Sequence, residues 1–333
     1  MGYNPKVYYK GRAAIEAISM GIPVSEQEVV FRCNFVSIEN GRMRSYCAGH
    51  ISTSEAEHLI GALNKYLGSK DVHFYTGVSY RHLLKLKGCG DTLKALCTPP
   101  HDISDKPIAE FLPTGRGSRF LKQLMQASVK FLEGHPINAA RQAMGDIPAN
   151  MIWLFWGSGK IPDMPTFKQV YHLSAALTSS VDLLKGLGLM MGMDILEIEG
   201  ITDGLDNDFK GQAIGALKSL DNHDLVVIHC EAPDEAGHVG SITDKIEAIQ
   251  HIDRDIVSRL RTCYSGNIQL LVMPDHYTPI EKKTHVADPV PFVLWGADFA
   301  ANGAKRFTEM EAKRTGLFVN EGYNIMGRLI GRR

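Results

Sequence analysis

From about Arg119 onward, short apolar runs alternate with stretches long enough for helices: Ile195–Ile198, Gly211–Leu220, Leu225–Cys230, Ile242–Leu260 and Ile268–Met273. Strands followed by helices of ten or more residues point to a mainly parallel sheet sandwiched by helices, an α/β fold. In such sheets ligands sit at the carboxyl ends of the strands. Those ends are therefore where functional side chains are to be sought.

The first third of the chain reads differently. Glu28–Cys33, Phe35–Ile38, Val72–Tyr75 and Tyr80–Lys87 are β-like runs. Between them Ser52 and Thr53, followed by Glu55 and an apolar rhythm through Leu59, Ile60, Leu63 and Leu67, predict a capped amphipathic helix. A compact α+β unit is expected here. Leu112-Pro113-Thr114-Gly115-Arg116-Gly117 reads as its boundary, with the helix-like Phe120–Phe131 beyond it. The aromatic passage Asn150–Gly157 shows no clear period and reads as irregular, its Trp153 and Trp156 packing between domains.

Composition excludes several classes. Of 333 residues 44% are hydrophobic and 22% charged, enough apolar material for a core and too much for a disordered chain. Lys plus Arg number 36 against 37 acids, so no basic excess exists to bind nucleic acid. Apolar stretches such as Leu225–Ile228 fall far short of the ~20 residues of a spanning helix. The opening residues hold no apolar region of a secretory signal, and Lys6 stands where myristoylation wants Ser or Thr. Cys33, Cys47, Cys89, Cys97, Cys230 and Cys263 form no C-x-x-C pair and read as reduced thiols of a cytoplasmic protein.

The chemistry concentrates at two strand ends. Leu225–Cys230 runs straight into Glu231-Ala232-Pro233-Asp234-Glu235-Ala236-Gly237-His238, where Asp234 and His238 stand one helical turn apart. Ile268–Met273 runs into Pro274-Asp275-His276, and His285 follows nine residues later. Mixed carboxylate and imidazole donors suit zinc, manganese or a related divalent ion. Two such ions a few ångströms apart clamp both oxygens of a phosphoryl transfer. A buried cluster of unpaired charges would otherwise cost several kcal/mol per group. Gly186–Gly192 imitates a dinucleotide loop, but its spacing is wrong and a helix-like run precedes it.

These runs, with Tyr8-Tyr9-Lys10-Gly11-Arg12, Phe31-Arg32-Cys33-Asn34, Gly77–Leu84, Thr98–Ile103 and Val181–Gly186, resemble the archaeal-type cofactor-independent phosphoglycerate mutases of the alkaline phosphatase superfamily. The resemblance covers essentially the whole chain. It implies interconversion of 3-phosphoglycerate and 2-phosphoglycerate through a phosphoserine and two divalent metals (manganese, zinc or similar). Asp234, His238 and His285 would hold one metal, Asp275 and His276 the other. A smaller inserted α+β domain, 25–118, would close over the substrate, with 1–24 and 119–333 forming the alkaline-phosphatase-like metal-binding domain. Arg32, Arg81 and Lys185 are expected to grip the phosphate and carboxylate, since a trianionic ligand needs several cations.

Met1-Gly2-Tyr3-Asn4-Pro5 falls where the family reads Leu-Gly-Tyr-Asp-Pro, beyond its nucleophile and its first metal-binding aspartate. Ser19, Ser79 and Ser118 stand in the wrong contexts to replace that serine. The expectation is a reading frame truncated at its N-terminus, inactive as written, that an upstream extension would restore. Other phosphohydrolases or phosphomutases of the superfamily, and a non-catalytic metal-binding remnant or half of a split enzyme, stay open as alternatives. The oligomeric state is left open.

Overall fold

The computed structural model describes residues 1–161, 163–263 and 268–331, without the side chain of Cys263. The chain divides into two compact units, one of Tyr9–Asp163 and one of Met1–Tyr8 with Met164–Arg333. Cys33, Cys47, Cys89, Cys97 and Cys230 are free thiols. No described helix is long and apolar enough to cross a membrane.

The Tyr9–Asp163 unit is built on an antiparallel sheet. Its strands are β1 (Glu28–Glu39), β2 (Arg42–Ser45), β3 (Val72–Tyr75), β4 (Arg81–Lys87) and β5 (Met151–Gly159). β1 is the centre: β4 pairs with it from Glu28↔Lys87 to Asn34↔Arg81, and β5 from Val29↔Gly159 to Val36↔Met151. β2 pairs with the far end of β1, and β3 with β4. Phe31, Cys33 and Phe35 alternate toward a core shared with the helices Thr53–Leu67 and Ser118–Leu132. The expected cap is present: Ser52 accepts the Glu55 N–H, and Glu55 reaches back to the Ser52 N–H. Those paired bonds satisfy donors that the first helical turn leaves open.

Two expectations are corrected here. Asn150–Gly157 is not irregular, since Met151–Gly159 is a full strand hydrogen-bonded to β1. It lacks alternation because both of its faces are covered, so nearly every residue is apolar. Trp153 packs within this unit's core and donates its indole N–H to Thr98 O at 2.8 Å, rather than bridging two domains. The break at 118/119 is displaced for the same reason. A strand paired to β1 cannot belong to another domain, and the helix Ser118–Leu132 packs on the same core. Residues 9–24 join this unit as well: the helix Arg12–Ser19 lies on β1 and β4 through Ala13, Ala17, Val30 and Leu83. The divisions therefore fall at 8/9 and 163/164 rather than at 24/25 and 118/119.

The second unit carries the expected parallel layer, in the order β7-β6-β8 with β6 (Ala175–Thr178), β7 (Asp194–Ile195) and β8 (Leu225–Ile228). The helices Asp182–Met190 and Phe209–Ser219 make the crossovers. Gly186 and Gly188 of the false dinucleotide loop lie in the first of these, and Gly192 just beyond its end. A Cβ on Gly188 would come within 2.9 Å of Ile195 Cδ1, so the residue serves close packing on β7. β9 (Leu270–Val272) pairs antiparallel with β10 (Val293–Trp295). Among the described residues β8 and β9 share no ladder. Leu225 and Val227 of β8 and Leu271 of β9 pack against the same core, which holds Phe167, Leu177 and Met193.

Candidate metal centre

β8 ends at Ile228, and the chain turns into the short helix Ala232–Val239, with Pro233 in its first turn. Proline is tolerated there because its missing N–H would be unpaired in any case. The helix sets Asp234 and His238 on one face, with His238 Nε2 3.1 Å from Asp234 Oδ2. Gly237 allows the approach of the segment after β9: a Cβ at this position would meet Thr278 O at 2.6 Å. The Thr278 hydroxyl donates to Asp234 Oδ1, and Lys245 Nζ donates to Thr278 O at 2.8 Å.

His285 arrives through a bridge between Tyr277 and Val286, closed by the Val286 N–H on Tyr277 O at 3.1 Å. Its ring stacks on His276 with centroids 3.7 Å apart. His285 Nε2 lies 3.4 Å from Asp234 Oδ1 and 3.1 Å from His238 Nε2. His276 Nδ1 is 3.9 Å from Asp234 Oδ1. The structure thus gathers Asp234, His238, His276 and His285. Asp275 remains largely exposed beside His276, with Oδ2 3.4 Å from its Nε2.

The donor set fits a divalent cation. One atom each of Asp234, His238 and His285 lie within 4.8 Å of one another. His238 Nδ1 faces Lys283 O at 3.0 Å, so in the neutral ring Nδ1 carries the proton and Nε2 presents a lone pair to Asp234 and His285. Two imidazole nitrogens facing one carboxylate form a mixed site of the kind zinc and manganese take. Asp275 and His276 stand outside this compact trio. Among the described residues no further compact group of three such donors is present.

The electrostatics follow from that crowding. Burial works to raise the Asp234 carboxyl, but hydrogen bonds from His238 and Thr278 and the nearby imidazoles hold it well below its usual range. The hydrogen bond to Asp234 lifts His238 to about 9 against the effect of burial. Burial, with His276 alongside, lowers His285. Glu231 was passed over in the sequence reading. Burial, then the charges of Asp234, Asp203, Glu235 and Asp275, push it up to about 8. His229 was missed too, and burial lowers it. The H-x-E spacing at the end of an apolar strand was the one available sign of this pair.

Arg32 and Arg81 lie in the other unit and Lys185 in the helix Asp182–Met190. Arg32 is 6% exposed, and its Nη1 binds both Glu16 oxygens at 2.6 Å. Arg12, which sequence reasoning did not single out, reaches Glu16 at 2.7 Å and lies 4.7 Å over the Trp156 ring. Arg81 stands opposite Asn34 in the β1–β4 ladder, on the face that carries Arg32.

The profile of a family described as 2,3-bisphosphoglycerate-independent phosphoglycerate mutase matches residues 1–138. A protein of that name from Methanosarcina barkeri is 45% identical over 99% of this chain and 83% of its own length. The chain belongs to this family. A mutase from Methanocaldococcus jannaschii is 32% identical over 98% of the chain and 81% of its own length. Among solved structures, a protein of Pyrococcus horikoshii shares the fold with TM-score 0.77 and 26% identity, over 99% of this chain and 80% of that one. A cofactor-independent phosphoglycerate mutase from Thermoplasma acidophilum shares it with TM-score 0.58 and 23% identity, over 99% and 83%. Membership in the mutase family implies dependence on divalent metal, and the Asp234 trio is the candidate ligand set.

Proposed function

We propose that this chain serves the interconversion of 3-phosphoglycerate and 2-phosphoglycerate, in glycolysis and gluconeogenesis, with two divalent cations, manganese or zinc. The observation that carries the reading is the convergence of Asp234, His238 and His285 from two separate segments of the chain. In this proposal those three side chains hold one cation, and Asp275 with His276 hold the other. Bound there, divalent charge would neutralise the phosphoryl oxygens during transfer. The Lys283 carbonyl orients His238, and the Thr278 hydroxyl orients Asp234, so the donor atoms are directed before any ligand arrives.

Arg32, Arg81 and Lys185 are proposed to grip the anionic ends of the substrate. For Arg32 the Glu16 ion pair means that the side chain acts from a fixed position. No serine of these 333 residues is assigned as the phosphoryl acceptor, so the chain by itself is expected to bind metal without turnover. Free thiols at Cys33, Cys47, Cys89, Cys97 and Cys230 support the proposal of a cytoplasmic setting.

Calorimetric titration with Mn²⁺ and Zn²⁺, beside an enolase-coupled assay, tests this. Saturable binding that Asp234→Asn abolishes, with no turnover, is expected. Binding indifferent to Asp234→Asn would overturn the metal centre, and robust turnover would overturn the assignment of no nucleophile. Activity on pentose phosphates but not phosphoglycerates would move the chain to another reaction of the superfamily.

A further inference from the structure

The carboxyl ends of β6 and β8 hold a second polar array. Thr178 lies opposite Ile228 in their parallel ladder, so Ser179 and His229 are the next residues out of it. Ser179 is 4% exposed, and its Oγ lies 3.0 Å from His229 Nδ1. The same oxygen accepts the Val181 N–H at 3.0 Å. A buried hydroxyl left without an acceptor is costly, and His229 Nδ1 is the acceptor within reach. The Ser179 proton therefore points to Nδ1, and the neutral ring carries its own proton on Nε2. That nitrogen faces Glu231 Oε2 at 3.4 Å.

The ring has little freedom to turn away. The His229 N–H donates to Thr178 O at 3.0 Å, and the His229 carbonyl accepts from Gln212 Nε2 at 2.9 Å. Gln212 itself is fully buried. At the other end, Glu231 immediately precedes the helix Ala232–Val239, and its carbonyl accepts the Asp234 N–H at 2.8 Å. One line of contacts thus runs from the end of β6, across the end of β8, into the turn that carries Asp234 and His238.

We propose that Ser179, hydrogen-bonded to His229, and Glu231, in polar contact with the far nitrogen of the same ring, form with it a positioning chain that sets the His229 tautomer and anchors the first turn of the helix presenting Asp234 and His238. The geometry stands by itself; the consequence for cation affinity rests on the metal reading given above. None of the three is assigned contact with substrate. They act through Asp234 and His238, as partners behind metal ligands commonly do.

Two measurements on the 333-residue chain at pH 8 test the proposal. Imidazole ¹⁵N–¹H correlation spectra without metal should show His229, assigned by its loss in His229→Gln, as the Nε2–H tautomer, and Ser179→Ala should erode that preference while Ser179→Thr keeps it. Mn²⁺ affinity should fall about tenfold or more in Ser179→Ala and His229→Asn, with circular dichroism unchanged. His229→Gln, whose amide N–H reaches toward Glu231 where that of Asn does not but which offers Ser179 no acceptor at the Nδ1 position, should fall between the parent and His229→Asn. An Nδ1–H tautomer in the parent, or a folded His229→Asn chain that binds Mn²⁺ like the parent, overturns the proposal. A parent that shows the Nε2–H tautomer but binds no Mn²⁺ removes the metal reading and leaves the positioning chain in place.

Discussion

Replacing Glu16 with Gln removes a carboxylate that holds two arginines, Arg12 and Arg32. Glu16 is 3% exposed; Arg32 Nη1 meets both of its oxygens at 2.6 Å, and Arg12 Nε meets Oε1 at 2.7 Å. Asn34 Oδ1, 3.1 Å from Arg32 Nε, supplies a neutral acceptor but no countercharge. Stripping one partner from a buried ion pair costs about 3–5 kcal/mol, because the remaining charge stays desolvated. Gln keeps one acceptor oxygen, so the low end, about 3 kcal/mol, is expected. With a urea dependence of about 1–3 kcal/mol per molar, the unfolding midpoint should drop by about 1–3 M. Trp153 fluorescence reports this transition, since its ring is buried in the same unit's core. Arg32→Met should cost less, because Glu16 then retains Arg12. Adding Arg32→Met to Glu16→Gln should recover much of the loss, for the stranded charge is gone. A midpoint shift below about 0.3 M for Glu16→Gln, or no recovery in the double variant, would refute the reasoning.

Three further outcomes are expected. Gly237→Ala places a Cβ against Thr278 O and Cγ2, at 2.6 and 2.9 Å, and should loosen the Asp234 trio, lowering Mn²⁺ affinity about tenfold by titration with little change in circular dichroism. Burial depresses His82 from 6.5 to about 3, so as pH falls the unfolded chain takes up a proton that the folded chain refuses. Its contribution is whole above about pH 6.5 and declines below it by at most about 1.4 kcal/mol per pH unit; urea midpoints between pH 7 and 5 should show this slope, and His82→Asn should flatten it. Burial opposes the ionised form of Glu16, yet Arg32 and Arg12 still hold its pKa below 4.5, so its stabilising share is intact above 4.5 and disappears only as pH falls further; parallel urea curves for parent and Arg32→Met in that lower window would contradict this.

What the amino-acid order determined by itself is local. The capping box at Ser52 and Glu55 was legible because both of its bonds close within three residues. Asp234 and His238 were legible as a pair because one helical turn joins positions four apart wherever the helix lies. The apolar runs marked β8 and part of β7, but not the central strand β6 that pairs with both.

Tertiary structure decided which distant segments share a hydrogen-bond ladder. Nothing near Met151 announces that its strand lies against Val36, and that pairing moved the later division, while the helix Arg12–Ser19 packed on β1 and β4 moved the earlier one. Ser179 and His229, 50 residues apart, likewise became partners only through the register of β6 on β8. The Glu16–Arg32 pair has the same origin, a helix laid across a strand. A helical turn is closed by bonds to residues four positions away, so its relations travel with the sequence. A strand's donors and acceptors face outward, and only the assembled sheet determines which neighbour satisfies them.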